Sequence, residues 1–372
     1  MTTFPGVDPI PLPAPILFFK ILHTVMLTLH FYAVHILLGG MIIAGLSALK
    51  AKIGRRPALY EFSGLIINRM PIVIAFVINF AIPPLLFTQV LYGRALFPST
   101  VMIGVWWLFV IFLVLTTYYL LYISQKRMET GKTWWWICLI AYLLAAKVAF
   151  IYSNTMTLML RPEVWAEMHE KHPGGLQLPS GDPTIVPRWI YMLVASITIG
   201  SAVMIILSIK KTLKPALLQK IRRLSAILIS IFSILQAIAG YIVFNSQHEN
   251  IQKNLTTTPL TKWFIWLWSI SLAILFFTGI FIILKKQIKK LLISLVLIIT
   301  GFTNVLSWVV IRDGIRDFTL RTKGFDVWDR HISVEWSVVI FFLLLFILAL
   351  VLTGWMVMQL FKTGKMRGHY EK

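Results

Sequence analysis

Three histidines lie on the first long apolar segment of the chain, Pro15 to Leu49: His23, His30 and His35. None of the other apolar segments long enough to cross a membrane contains a histidine. A neutral imidazole inside a membrane needs a partner, and a metal, usually haem iron, is a common strong one. The first segment is therefore the first candidate for redox chemistry in this chain.

The spacing of these histidines assigns them to different sites. Residues seven apart on an α-helix share a face and lie about 10.5 Å apart along the axis, so His23 and His30 could serve two sites but not one iron. His35 is rotated by roughly 140° from His30, which predicts that it faces another neighbour. The alternative is a structural role, in which each ring bonds a backbone carbonyl or a polar side chain such as Asn79, Gln89 or Asn154.

The helix that carries these residues belongs to a polytopic membrane protein. Apolar residues make up 58% of the chain, charged residues only 13%, and the mean hydropathy is +0.81, which excludes a soluble globular domain. Segments long enough to cross about 30 Å of hydrocarbon predict nine transmembrane helices in an all-α bundle. They fall at 16–48, 71–92, 101–124, 134–159, 187–209, 224–245, 263–284, 291–311 and 336–361.

Positive charge predicts the orientation of the bundle. Most Lys and Arg residues lie in the loops on one face and in the C-terminal tail, and such loops are usually cytoplasmic. We therefore expect the N-terminus outside, the C-terminus inside, and a first helix that is retained rather than cleaved. The whole chain, 1–372, is predicted to be one bundle domain with a proline-rich extended arm (1–15), an external loop (161–186) and a cytoplasmic tail (362–372).

Several function classes are excluded. The net charge of +21 lies on loops where anionic lipid is the natural counter-charge, so a nucleic-acid partner is not expected. Cys138 is the only cysteine, which rules out iron–sulfur clusters, internal disulfides and covalent c-type haem. No phosphate-binding or zinc-protease motif is present. Any redox centre must therefore be held without a covalent bond.

Other polar or helix-breaking residues stand out in the apolar segments. Lys147 lies at the middle of the fourth helix, where a lysine needs an anion, a carbonyl or water. The pair Pro83-Pro84 predicts a kink in the second helix. At the outer end of the eighth helix, Arg312 and Arg316 could bind haem propionates or lipid phosphate.

Several of these segments resemble subunit I of the cytochrome bd quinol oxidases. His30 followed by Gly39, within "LHFYAVHILLGG", is similar to that family's haem-ligating histidine and its glycine. "INFAIPPLLFTQVLYG" and "PRWIYMLVASITIG" resemble its second and fifth helices, and Trp308 with Arg312 and Arg316 resembles a segment of its eighth. The resemblance implies nine helices, haem near the outer face and a prokaryotic cytoplasmic membrane.

The sequence also departs from that family. Its fifth-helix histidine falls on Tyr191 and its seventh-helix methionine around Leu267 or Trp268. Its second-helix acidic residue falls on Gln89, and that of its eighth helix near Arg312. Its quinol-binding loop after the sixth helix is reduced to 246–262. Together these features indicate an oxidoreductase subunit that does not reduce oxygen.

Three functions are consistent with these features. The first is a membrane subunit that holds one or two b haems on His30 and His23, with His35, Gln89, Lys147, Arg312 and Arg316 as further cofactor-site residues. It would carry electrons between the quinone pool and an outer-face c-type cytochrome. The second is a haem-free bd-like scaffold for other membrane and cytochrome subunits. The third, ranked last, is a small-solute transporter that uses Lys147 and the Pro83-Pro84 kink.

Overall fold

A computed structural model describes residues 4–6, 11–178, 181–208, 215–285 and 290–363, apart from the side chains of 216, 290 and 357–363. These described residues form twelve α-helices: α1 (Ile16–Ile53), α2 (Pro57–Ile67), α3 (Met70–Met102), α4 (Gly104–Glu129), α5 (Trp135–Leu158), α6 (Trp165–Lys171), α7 (Ile185–Leu207), α8 (Pro215–Asn245), α9 (Glu249–Thr257), α10 (Pro259–Leu284), α11 (Lys290–Thr322) and α12 (Trp336–Thr363). A short 3₁₀ helix, Pro162–Val164, precedes α6.

The prediction of an all-α membrane bundle is confirmed. Within the described residues, nine helical segments are long and apolar enough to span a membrane, and each overlaps one of the nine predicted segments. Three short helices, α2, α6 and α9, lie where loops were expected. α11 continues beyond the apolar span predicted at 291–311 and ends at Thr322, because its charged end packs against other helices instead of entering solvent.

The ends of the chain lie only partly within the described residues. Of the predicted extended arm, the described part pairs with the segment before α12, because Leu12 donates its amide to the carbonyl of His331 and accepts one from Ser333. The predicted tail is described only as far as the end of α12. The predicted external loop contains α6, and its residues 179–180 are outside the described part of the chain.

The histidine-bearing helix α1 lies at the centre of the bundle, where it contacts α2, α3, α5, α7 and α11. Its closest approach is to α7 at two glycines. A Cβ added to Gly200 would lie 2.8 Å from the Cα of Gly39, and one added to Gly39 would collide with the backbone carbonyl of Ser196. Small residues at such crossings let the backbones of membrane helices pack closely.

We expect Gly39→Ala to destabilise the bundle by about 1–3 kcal/mol, the usual cost of overpacking a tight core. The added methyl must push apart two backbones, since its nearest neighbour is a main-chain oxygen. Thermal unfolding in detergent measures the effect. Gly354→Ala is the matched control, because a Cβ there meets open space on α12, and equal melting temperatures for the two variants would contradict the prediction.

The kink expected at Pro83-Pro84 stays a prediction, and α3 has a kink at Tyr92. Both prolines lie inside α3, but the residue whose backbone angles leave the helical range is Tyr92 (φ −128°, ψ 20°). Between the prolines and Tyr92, Thr88 donates its hydroxyl proton to the carbonyl of Pro84 at 2.7 Å. The distortion at Tyr92 leaves its hydroxyl in a buried ion cluster.

Candidate functional site

His23 and His30 both turn toward α3, as their seven-residue spacing predicts. The Nε2 atom of His23 lies 3.2 Å from the hydroxyl of Thr88, and the Nδ1 atom of His30 lies 3.1 Å from the carbonyl oxygen of Val77. His35 contacts neither of these groups, and its ring stacks on Phe31. The three histidines therefore occupy distinct environments.

His30 has the hydrogen bonding of a metal ligand. Since a carbonyl can only accept, Nδ1 of His30 must donate its proton to Val77, and this fixes the tautomer that leaves a lone pair on Nε2. Metal-binding histidines commonly fix their ring orientation through such a bond to a backbone carbonyl. The ring is only half-buried, and Nε2 has no hydrogen-bond partner among the described residues.

A cation lies beside His30. The guanidinium carbon of Arg312 is 4.8 Å from the centroid of the Phe31 ring, and that ring is 5.6 Å from the ring of His30. Within the described residues, Arg312 forms no ion pair and no hydrogen bond. Because an arginine inside a membrane bundle is stable only near an anion or water, this position suits a carboxylate of a bound group.

His23 has a different tautomer. Thr88 already donates its hydroxyl proton to Pro84, so it must accept a proton from Nε2 of His23. This leaves the lone pair on Nδ1, which is buried and without a partner. Only 1% of His23 is exposed, and metal ligation by this residue stays a prediction.

An ion cluster joins α1, α3 and α11 on the side of His23 nearer the start of α1. The ammonium of Lys20 lies 2.6 Å from Asp313 and 2.5 Å from Asp317, and it also lies 2.5 Å from the hydroxyl of Tyr92. Arg316 pairs with Asp313, and its guanidinium carbon lies 4.0 Å from the centre of the Tyr92 ring. Two cations thus balance two carboxylates.

Arg312 and Arg316, which the sequence analysis gave the same candidate role, have different surroundings in the structure. The charge of Arg316 is already neutralised by Asp313, whereas that of Arg312 is not. Sequence reasoning missed Lys20 and Tyr92 altogether. The available signal was Lys20 itself, which lies inside the apolar segment and needs an anion such as those at the end of α11.

Packed aromatic side chains occupy the two positions where the resembling bd family has a histidine and a methionine that bind haem, at Tyr191 and around Trp268. The rings of Tyr191 and Trp308 stack with centroids 3.6 Å apart, and Trp268 donates its indole proton to the hydroxyl of Tyr191 at 2.8 Å. Gln236 donates to the same hydroxyl at 2.9 Å and to Asn304 at 2.8 Å. These residues do not fit a haem between α7 and α10, because the space is closed by their own contacts.

The remaining predicted site residues lie apart from His30. The ammonium of Lys147 lies over the rings of Trp106 and Phe150, at 4.8 and 5.1 Å from their centroids, so cation–π contacts offset part of its cost in the membrane. Gln89 is half-buried on α3 with no hydrogen bond among the described residues. The described histidines outside α1 are exposed: His169, His172, His248 and His331.

No group of three or more His, Cys, Asp or Glu residues able to hold a metal ion occurs among the described residues. A single axial histidine, as His30 would provide, is a different kind of site. Across the described residues, the fold and the site define a helical membrane protein with nine segments able to span a membrane. Its central helix carries a half-buried histidine near an arginine that has no ion-pair partner in that part of the chain.

Comparison with solved structures shows a protein of similar fold. The chain is similar to a chain of the bd oxidase from Geobacillus thermodenitrificans, with a TM-score of 0.70 at 10% sequence identity, and the match covers 95% of this chain and 100% of that one. No family model matches the sequence, and no curated protein does so either. The prediction of a bd-like fold is therefore confirmed at the level of structure.

Proposed function

We propose that this chain is a membrane subunit of a respiratory electron-transfer complex that holds a haem b on His30. The observation that carries the proposal is the fixed tautomer of His30, which leaves Nε2 free on the central helix. The similarity of the fold to a bd oxidase chain supports the respiratory role. The proposed location is a prokaryotic cytoplasmic membrane.

The residues around His30 fit such a group. The bond to Val77 holds the imidazole in one orientation and makes it more basic. Arg312 offers a positive charge to a propionate, with a geometry suited to carboxylates. Haem bound in this position supplies one-electron transfer, and we propose that the partners are the quinone pool and an outer-face c-type cytochrome.

The test is an absorption spectrum of the purified protein together with a pyridine haemochrome assay. The proposal expects a Soret band and a haemochrome of the b type. Protein that is purified in a folded state from haem-replete cells and shows neither signal would overturn it.

A haem-free scaffold is the second candidate, and a specific observation favours it. The packing of Tyr191 on Trp308 closes a place where the resembling family binds haem, which is what loss of redox sites with retention of the fold would produce. A colourless protein that still purifies with other membrane subunits would support this candidate.

A further inference from the structure

A cavity of about 710 Å³ lies at the end of the bundle opposite the ion cluster. It is lined by the end of α1, the start of α2, the end of α4 and the start of α5. Its volume falls in the range of small-molecule and headgroup sites. It shares no lining residue with the His30 site, so the proposed function does not account for it.

The walls of this cavity contain polar atoms without partners. Trp134 is only 1% exposed, yet its indole nitrogen has no hydrogen-bond acceptor. The indole nitrogen of Trp135, the hydroxyl of Tyr60 and the amide oxygen of Asn68 are also buried and unpaired, and all four residues line the cavity. Buried polar groups are nearly always satisfied in native proteins. The two indole N–H groups and the Tyr60 hydroxyl need acceptor oxygens, whereas the Asn68 amide oxygen needs a donor such as a ligand hydroxyl.

Four basic side chains line the same cavity: Lys52, Arg55, Arg56 and Lys132. All four are exposed, and none forms an ion pair within the described part of the chain. Glu61 is the acidic residue among the lining positions, so the charge balance at the cavity is positive. The backbone of Arg55 is in the left-handed region, at φ 47°, which costs energy for a non-glycine residue.

Two helix N-termini also meet the cavity. α2 begins at Pro57 and α5 at Trp135, both of which line the cavity, and neither helix has a side-chain cap. Pro57 has no N–H, and the amides of Leu59 and Tyr60 already donate to the carbonyl of Arg56. The helix dipole, rather than a set of free amides, therefore makes these ends attractive to anions. The neighbouring C-terminal ends of α1 and α4 are closed by main-chain bonds, including those from Gly54 to Lys50 and from Thr130 to Lys126.

We propose that this cavity binds the phosphate of an anionic amphiphile, the headgroup of a phospholipid such as phosphatidylglycerol. The exposed basic residues and the two helix ends attract the negative charge. The indole protons of Trp134 and Trp135 bond its oxygens, and apolar lining residues such as Leu65 and Met128 contact the start of the acyl chains. Basic pockets between membrane helices commonly hold anionic headgroups in this way.

The experiment uses the full chain, purified in a neutral detergent and stripped of lipid. Thermal unfolding is followed while short-chain phosphatidylglycerol, short-chain phosphatidylcholine or inorganic phosphate is added. We expect phosphatidylglycerol to raise the melting temperature saturably and phosphatidylcholine to have a much weaker effect. If inorganic phosphate produces the same saturable rise, the phosphate itself is the ligand and the lipid is only one source of it.

Variants assign the binding to the cavity. The triple variant Arg55→Gln, Arg56→Gln and Lys132→Gln should raise the Kd for phosphatidylglycerol by about tenfold or more. Its control is Lys126→Gln, Lys220→Gln and Arg223→Gln, which removes the same charge from exposed positions that do not line the cavity. Trp134→Phe keeps an aromatic side chain of smaller size, removes the N–H and should also weaken binding.

Equal Kd values for the cavity variant and its control would overturn the proposal, since the lipid would then respond only to overall charge. Equal effects of the two lipids on the original protein would overturn it as well. Neither result depends on haem, because melting and binding can be measured whether or not His30 holds a cofactor.

Discussion

His30→Ala is expected to abolish the b-type absorption that the proposed haem site predicts for the purified protein. Loss of an outer partner of a metal ligand alone typically lowers affinity by about 10–100-fold, and removal of the ligand itself should lower haem occupancy at least as far. Arg312 would still attract a propionate, but without the iron ligand this contact alone would hold haem only weakly. The measurement is the haem-to-protein ratio from the pyridine haemochrome.

Two further variants separate ligand loss from misfolding. His248→Ala removes an exposed histidine and should leave the spectrum unchanged. His30→Gly opens a cavity in which added imidazole can replace the lost ring, and partial return of the Soret band would show that the bundle is still folded. A full haem complement in His30→Ala would contradict the assignment of His30 as ligand.

Hydropathy predicted the nine spans because each is long enough to satisfy its own backbone in lipid. It failed for α2, whose eleven residues lie between basic stretches and are too short to register as a span. The helical spacing of Arg312 to Asp317 was visible in the sequence, but their contacts were not. These residues look like a solvated helix end in sequence, whereas in the fold they contact residues of α1 and α3.

The site was predictable where spacing along one helix decides it. His23 and His30 face α3 together because residues seven apart share a face, a fact that the sequence contains. The residues that contact His30 and Lys20 were not predictable from spacing along one helix. Neither Val77 nor the Lys20 cluster could be identified without knowing which helices pack against α1, since these contacts join residues far apart in the chain.

Lys20→Met is expected to destabilise the protein by about 3–5 kcal/mol, the usual cost of breaking a buried ion pair by removing one partner. The side chain of Lys20 is 7% exposed, and those of Asp313 and Asp317 are 16% and 15% exposed. Without the ammonium, Arg316 can balance only one of the two carboxylates. The free energy of unfolding in detergent measures the loss.

A charge-balanced double variant distinguishes this cause from lost packing. Lys20→Met with Asp317→Asn removes one cation and one anion, so it should recover a large part of the stability lost in the single variant, an interaction that a double-mutant cycle quantifies. Lys171→Met is the matched control, since its partner Glu167 lies in an exposed pair and such pairs contribute little. If Lys20→Met were as stable as Lys171→Met, the cluster would not hold α1 to α3 and α11, and the position of His23 beside it would need another explanation.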